Sequence, residues 1–229
     1  MPMSLPLLDL LETPNPLLAT AVNAPVAPTV IDPAVIKRKI PAKRIMEDMR
    51  RLQAASDAIA GLDRDGYELY GLTRGQFSLT DMIEAVLQKT GPAAMGISTW
   101  TAAQTDVGRM LDLLNSGMIT SCRWLVDMTF IRRCPALVSE IRQKFGHDAI
   151  RVTRTHAKFV TIANDQWQIA LRSSMNLNQN PRLESFEIGH DPELCAFLTG
   201  IMDQVWQTQG IKTADSGVSA MNKWFNENN

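Results

Sequence analysis

Helix-like and strand-like patterns alternate along this chain from about residue 78 to residue 207, which leaves few fold classes open. The helix-like segments repeat apolar residues every three or four positions and end near glycine, while the segments between them are short apolar runs. The pattern predicts helices at about 78–90, 106–114, 135–145 and 193–206, and strands at 95–102, 119–126, 149–162, 167–171 and 185–188. The alternation therefore predicts an α/β fold in which helices flank a mixed central sheet.

The two ends of the chain differ in composition from this region. Residues 1–36 hold seven of the twelve prolines, no glycine and three charged residues. We predict an extended or disordered arm there, either a plain leader or a short segment that docks on a partner. Residues 37–77 are predicted to form a basic amphipathic helix, at about 41–60, and a linker. The α/β domain is assigned to 78–207 and a flexible polar tail to 208–229.

The composition excludes several classes of protein. A net charge of −1 and 45% hydrophobic residues are typical of a globular domain. No apolar run approaches the ~18 residues that a membrane span needs. The three cysteines form no CxxC pair, which argues against a disulfide scaffold or a cysteine-rich zinc site. With no visible secretory pattern, we expect a cytoplasmic protein without membrane contact.

One segment is strongly basic. Residues 37–51 contain seven basic and two acidic residues, a local net charge of +5. A solvated helix face and a helix that contacts phosphates both give this pattern. The candidate substrate-binding residues in this segment are Lys37, Arg38, Lys39, Lys43 and Arg44.

The residues best suited to catalysis lie between 156 and 187. His156 and Lys158 are two positions apart on a predicted strand, so their side chains are expected on the same face. Ser174 and Asn176 follow, in an asparagine-rich run that favours a loop. A lysine charge, an amide and a hydroxyl can bind a phosphate, and a histidine can attack one. Further candidate binding residues are Asn178 and Arg182.

These residues resemble the signature of the phospholipase D superfamily. That signature is His-x-Lys, then Asp after four residues, then a Gly/Ser-Ser-x-Asn segment and finally Asn-x-Glu. Here His156-Ala-Lys158 matches the first element, and Ser-Ser-Met-Asn at 173–176 matches the second. Glu187 stands eleven residues beyond Asn176, where the downstream acid is expected. The resemblance covers 78–207 and implies a single family repeat.

The resemblance implies a phosphodiesterase that needs neither a metal ion nor another cofactor. His156 would form a covalent phosphohistidine. Lys158 and Asn176 would stabilise the transition state. Ser174 would position the loop or donate to an oxygen, and Glu187 would orient His156.

The chain has one His-x-Lys element, whereas catalysis in this family uses two. The resemblance therefore implies a homodimer in which the second histidine comes from the partner subunit. Short single-motif members tend to be nucleases, so we expect nucleic acid as the substrate, DNA more than RNA. The size and the appended arm also resemble proteins of phage origin.

Several positions depart from the signature. Ala163 replaces the motif aspartate, and Asp165 is a candidate substitute for it. Serine precedes Phe186 where the family prefers asparagine. Glu184 is a second candidate for the acid, with the opposite strand parity to Glu187. A degenerate domain that binds nucleic acid or a protein without cleavage, and a purely structural α/β domain, are the alternatives to an enzyme.

The remaining histidines and the tryptophans are predicted to be structural. His147 and His190 lack a lysine two residues later and are interpreted as surface or capping residues. Trp100, Trp124 and Trp167 fall in predicted strands, which favours packing in the core over stacking on bases.

Overall fold

A seven-stranded mixed β-sheet lies at the centre of residues 53–209, the part of the chain that the structure describes. The structure is a computed structural model. Its strands are β1 (Glu68–Thr73), β2 (Ala93–Thr99), β3 (Ile119–Asp127), β4 (Ile150–Thr153), β5 (Phe159–Ala163), β6 (Gln168–Ser173) and β7 (Glu184–His190). Its helices are α1 (Ala55–Ala58), α2 (Leu79–Thr90), α3 (Gln104–Asn115), α4 (Met128–Arg133), α5 (Pro135–Phe145) and α6 (Pro192–Thr208).

The sheet has a parallel half and an antiparallel half. The strand order is β1-β7-β6-β5-β2-β3-β4. β2, β3 and β4 run parallel to one another, while each other neighbouring pair is antiparallel. The two halves meet where β2 pairs with β5. The predicted α/β architecture with a mixed sheet is confirmed.

Local signals in the sequence fix the ends of several helices. Ser78 precedes α2, where its hydroxyl accepts a hydrogen bond from the Asp81 backbone at 3.1 Å and the Asp81 carboxylate accepts one from the Ser78 backbone at 2.6 Å. This reciprocal pair satisfies two backbone N–H groups that the first turn leaves unpaired. α2 ends at Gly91, whose φ of +81° is the left-handed conformation that glycine adopts readily. α5 begins at a proline and ends before Gly146, as predicted.

Helices cover both faces of the sheet. On one face, α2, α3 and α5 pack over the main core, which includes Ile97 and Trp124. On the other face, α6 packs Met202 and its apolar neighbours against Phe159. Burying each such side chain contributes ~1.5–3 kcal/mol. Gly96 allows this close approach, since a Cβ there would lie 2.6 Å from the Met202 sulfur.

β1 and α4 differ from the sequence-based prediction. β1 lies within 37–77, where we predict a helix and linker, so the sheet begins before the predicted boundary at residue 78. Its side chains alternate in exposure along an edge strand, with Tyr70 and Leu72 exposed. α4 is a single short helix after β3 that the pattern does not indicate.

The predictions for the termini fall mainly outside the described residues. The arm at 1–36 and nearly all of the tail at 208–229 lie there, as does most of the basic helix at 41–60, of which the described part includes α1. None of the helices within 53–209 is long and apolar enough to cross a membrane.

Candidate active site

The candidate active site lies at the end of the sheet where the carboxyl ends of β2, β3 and β4 meet. Since β5 is antiparallel to β2, its first residue, Phe159, pairs with Ser98 near the end of β2. The end of β6 and the start of β7 lie at the same end of the sheet, because Phe159 pairs with Arg172 and Ser173 pairs with Phe186. The pairing therefore brings together the residues that precede β5, follow β6 and begin β7.

His156 and Lys158 lie in the loop 154–158, which joins β4 to β5. The prediction of one continuous strand over 149–162 is wrong, because its two halves pair with different neighbours. β4 is parallel to β3, whereas β5 is antiparallel to β2. The loop thus crosses from one edge of the sheet toward its middle. The side chains of His156 and Lys158 meet because of the loop conformation, and not because side chains alternate along a strand.

Hydrogen bonds fix this loop to the ends of two strands. Asp127, the last residue of β3, accepts a hydrogen bond from the Thr155 backbone N–H at 3.2 Å. The other oxygen of the same carboxylate accepts from the Thr129 backbone at 2.8 Å and so caps α4. Ser98 on β2 donates from its hydroxyl to the Ala157 carbonyl at 2.8 Å. Asp127 is a functional-site candidate that the sequence analysis missed, and its place at a strand end was the available signal.

The imidazole of His156 is in contact with the ammonium of Lys158. Lys158 Nζ lies 3.2 Å from His156 Nδ1 and 3.4 Å from Nε2, and it donates to the His156 carbonyl at 3.0 Å. An ammonium can only donate, so the facing imidazole nitrogen acts as the acceptor. His156 is exposed, whereas Lys158 is 9% exposed. Burial lowers the pKa of Lys158, and the negative charge of Glu184 acts in the opposite direction.

Ser174 and Glu184 form a linked pair beside this lysine. The Ser174 hydroxyl donates to the Glu184 carboxylate and accepts from the Ser185 backbone at 2.9 Å. The Ser174 backbone also donates to the Ser185 carbonyl at 3.0 Å. Asn180 Nδ2 lies 3.4 Å from the second Glu184 oxygen. The start of β7 therefore holds both the serine and the asparagine-rich loop in place.

The asparagine-rich loop contains two buried amide oxygens without a hydrogen-bond partner among the described residues. They are the Oδ1 atoms of Asn176 and Asn178. Between them, Leu177 is fully buried, and its backbone bonds to Thr101 and Ala103 just after β2. An unpaired buried polar atom costs about 1–3 kcal/mol, so these amides are suited to meeting a ligand. Rotation of either amide by 180° would present donors instead of an acceptor.

Glu187 lies apart from this cluster. Strand alternation places it on the opposite face of β7 from Phe186, which is buried in the main core. Its carboxylate pairs with Arg172, whose guanidinium also pairs with Glu68 at 2.8 Å. Glu184, not Glu187, is the acid that the structure brings next to Ser174.

The departure at Ala163 lies away from the site. Ala163 is the last residue of β5, and Lys158 immediately precedes the first residue of this strand. The two residues are therefore separated by the length of the strand, ~13–17 Å. Asp165 follows in the turn at the same far end, where Asn164 donates to the carbonyls of Thr90 and Pro92. The loss of the motif aspartate therefore removes no group from the neighbourhood of His156.

Trp100, which the sequence analysis assigned to the core, lies with Arg133 at the rim of the site. Trp100 follows β2 and is half-buried, with its ring centroid 5.9 Å from that of His156. The Arg133 guanidinium carbon lies 4.2 Å from the Trp100 ring centroid. The prediction of a core position is wrong for Trp100 but is confirmed for Trp124, which is fully buried.

The other predicted residues are placed as follows. Arg182 is exposed in the asparagine-rich loop. His147 is exposed after α5, and His190 accepts a hydrogen bond from the Gln168 backbone at the end of β7. Within residues 53–209, no group of three or more His, Cys, Asp or Glu side chains is placed to hold a metal ion. The basic candidates outside the described residues are Lys37, Arg38, Lys39, Lys43 and Arg44.

Comparison with known proteins gives only weak structural similarity. No family model and no curated protein matches the chain. Polyphosphate kinase from Porphyromonas gingivalis overlaps with a TM-score of 0.46 at 12% identity, over 63% of this chain and 26% of that one. The phospholipase D family member Nuc from Salmonella typhimurium gives 0.43 at 14% identity, over 60% and 93%. NucT from Helicobacter pylori gives 0.41 at 12% identity, over 62% and 98%. All three TM-scores are below 0.5, which is too low to assign a function to this chain.

Proposed function

We propose that this chain is a phosphodiesterase of the phospholipase D type that cleaves nucleic acid, DNA more readily than RNA, with His156 as its nucleophile. The observation that supports this most directly is the contact between an exposed imidazole and a largely buried ammonium, that of Lys158. Within residues 53–209, no carboxylate forms an ion pair with this ammonium. The positive charge is therefore available to a phosphate bound beside the nucleophile.

The reaction proceeds in two displacements. A nitrogen of His156 attacks the phosphorus and forms a P–N bond, while the bond to the leaving oxygen breaks and that oxygen takes up a proton. Water then attacks the phosphohistidine, the P–N bond breaks, and His156 is regenerated with release of a phosphomonoester. Lys158 and the amide of Asn176 stabilise the charge on the phosphate oxygens in both steps. Neither displacement requires a metal ion.

Glu184 takes the role of the positioning acid in this mechanism. Its carboxylate fixes the Ser174 hydroxyl, and its charge lies close enough to Lys158 to favour the ammonium form. Glu187 is paired with Arg172 on the other face of the sheet and, among residues 53–209, has no comparable contact with Ser174 or Lys158. Ser174, whose single hydroxyl proton is donated to Glu184, thereby positions the asparagine-rich loop.

A homodimer supplies the proton that the first displacement needs. Each chain has one His-x-Lys element, and His156 is exposed rather than enclosed by its own chain. We place a second copy over this end of the sheet, so that the partner subunit's His156 protonates the leaving oxygen and then activates the water. Arginine side chains at the exposed rim, Arg154, Arg133 and Arg182, are suited to contacting the flanking phosphates.

A cleavage assay in EDTA tests the proposal. The full chain is incubated with single-stranded DNA, duplex DNA, RNA and a chromogenic phosphodiester. We expect cleavage that survives EDTA, is lost in His156→Ala, and is retained in His147→Ala, which removes an exposed histidine outside the site. Protein denatured at alkaline pH, which preserves the acid-labile P–N bond, should carry the phosphoryl-linked part of the substrate on His156, visible by mass spectrometry. Salt-dependent DNA binding without turnover would instead identify a binding domain that has lost catalysis.

Mixing experiments test the shared site. When wild-type and His156→Ala chains exchange freely at equal concentrations, about a quarter of the dimers contain two wild-type histidines. If both histidines are needed, activity per wild-type chain falls to about half of its unmixed value. Unchanged activity per wild-type chain, or a monomeric mass by light scattering, would contradict the dimer.

A further inference from the structure

An aromatic and cationic pair lies next to the nucleophile. The Trp100 ring is tilted by 54° against the His156 ring at a centroid distance of 5.9 Å. The Arg133 guanidinium lies over the indole at 4.2 Å, and its Nη2 donates to the Trp100 carbonyl at 3.2 Å. Arg133 is anchored a second time, by a 3.4 Å hydrogen bond from Nε to the carbonyl of Thr129. The guanidinium is thus held over the indole at the rim of the site.

Packing alone does not explain this pair. Trp124, a core tryptophan, is fully buried and meets Phe145 edge-on at 5.4 Å. Trp100 is instead half-buried and belongs to neither of the two hydrophobic cores of the described residues. Arg133 is exposed at the end of α4. A flat indole with a fixed guanidinium, open to solvent beside a phosphate site, is the combination that stacks on a nucleobase.

We propose that Trp100 and Arg133 form a subsite for the nucleobase next to the phosphate bound at His156, so that the substrate is a single strand. This inference rests on the proposed function, because His156 defines where that phosphate lies. A base at this distance can stack on a side chain only if it has left its own helical stack, which a single strand permits without further cost. A duplex would have to be unpaired locally at a cost of a few kcal/mol.

The molecule contains a matched control for this pair. Trp167 also lies near an arginine and a histidine, with Arg64 at 5.6 Å from its ring centroid and the His190 ring at 5.7 Å. It precedes β6, at the end of that strand opposite to Ser174. Trp167→Ala therefore removes the same type of side chain, also with an arginine and a histidine nearby, at a position that is remote from His156 and packs against the main core.

The affinities for two single-stranded probes of the same charge separate the contribution of the bases to binding from that of the phosphate backbone. One labelled probe is an oligothymidylate, and the other has the same length but carries tetrahydrofuran abasic sites. Both are measured by fluorescence anisotropy in a His156→Ala background, in which turnover cannot interfere. We expect the base-bearing strand to bind ~5- to 150-fold more tightly, the range typical of one stacked base. The ratio should fall toward one in Trp100→Ala, remain partly in Trp100→Phe, decrease in Arg133→Ala, and be unchanged in Trp167→Ala.

Three results would overturn the subsite. The first is an unchanged ratio in Trp100→Ala. The second is an equal loss of affinity for both probes, which would make Trp100 a support for the His156 loop. The third is a duplex that binds as tightly as the single strand. A base preference that depends on Trp100 in a protein without cleavage would refute the phosphodiesterase and leave the subsite intact, so the two proposals fail separately.

Discussion

Replacing Glu184 with glutamine should reduce activity far more than the same replacement at Glu187, although both acids lie on β7. Glu184 accepts a hydrogen bond from Ser174, and its charge favours the protonated form of Lys158. Glu187 pairs with Arg172 on the opposite face. The two variants differ from the wild type by the same chemical change, so comparing them isolates the effect of where the acid lies on β7.

The structure sets the size of the difference. A hydrogen bond to a charged group is worth ~1.5–3 kcal/mol and a neutral one ~0.5–1.5 kcal/mol, so Glu184→Gln should lose about 1 kcal/mol. This corresponds to a decrease in kcat/KM of about fivefold, before the effect on Lys158 is added. The Arg172–Glu187 pair is partly open to solvent, with side chains 41% and 34% exposed. Such pairs contribute about 0–1 kcal/mol, and here the contribution is to stability.

The pH dependence of kcat/KM provides an independent readout. Loss of the Glu184 charge should lower the pKa of Lys158 further, because the carboxylate opposes the effect of burial on that lysine. The alkaline limb of the pH profile, where Lys158 loses its proton, should therefore move to lower pH in Glu184→Gln. In Glu187→Gln the limb should stay where it is in the wild type. Steady-state cleavage of a chromogenic phosphodiester between pH 6 and 10 would measure both quantities.

Two outcomes would refute this reasoning. One is a larger loss of kcat/KM in Glu187→Gln than in Glu184→Gln, at equal melting temperatures. The other is a Glu184→Gln protein whose alkaline limb does not move. Either result would mean that the acid next to Ser174 has no influence on the lysine.

Three further predictions concern stability. Lys158→Met should lower kcat by at least ~100-fold but raise the melting temperature at pH 7. Burial lowers the pKa of this lysine, so its charge opposes folding until the pH rises above its ordinary value of 10.5, where the difference should disappear in a thermal scan. Gly75→Ala should destabilise the protein by ~2–4 kcal/mol in urea, because φ is +86° and the new Cβ would lie 2.8 Å from Pro181 Cα. Gly66→Ala, at φ +85° in open space, should lose only the strain of ~1–2 kcal/mol. Burial raises the pKa of Asp81, but hydrogen bonds at the start of α2 outweigh it and hold the pKa below the usual 3.8. Asp81→Asn should therefore lose ~1 kcal/mol at pH 7, and its deficit against the wild type should vanish as the pH falls through that lowered pKa.

Features with local causes were predictable from the sequence. The start of α2 depends on Ser78 and Asp81, which lie three residues apart, and its end depends on one glycine. The limits of α5 depend on a proline and a glycine at its two ends. Each of these signals acts within a single turn of helix, so no knowledge of the tertiary structure is needed.

Features that depend on strand pairing were not predictable. The segment 149–162 looks like one strand because no glycine or proline interrupts it, and only the pairing of β4 and β5 with different neighbours divides it. β1 is half-exposed at the sheet edge, which removes the apolar run that identifies a buried strand. The choice between Glu184 and Glu187 depends on which face of β7 meets the core, and this follows from the register with β6.

The loop that carries His156 is only slightly longer than the distance between the strands that it joins. β4 and β5 are three strand positions apart in the sheet, a span of ~14 Å. The six steps from Thr153 to Phe159 reach at most ~20 Å, and the loop is also tied to the ends of β2 and β3 on the way. The width of the sheet, more than the sequence of the loop, therefore determines where the nucleophile stands. A chain in which only one half of the sheet has formed would have all of its site residues but no fixed place for His156.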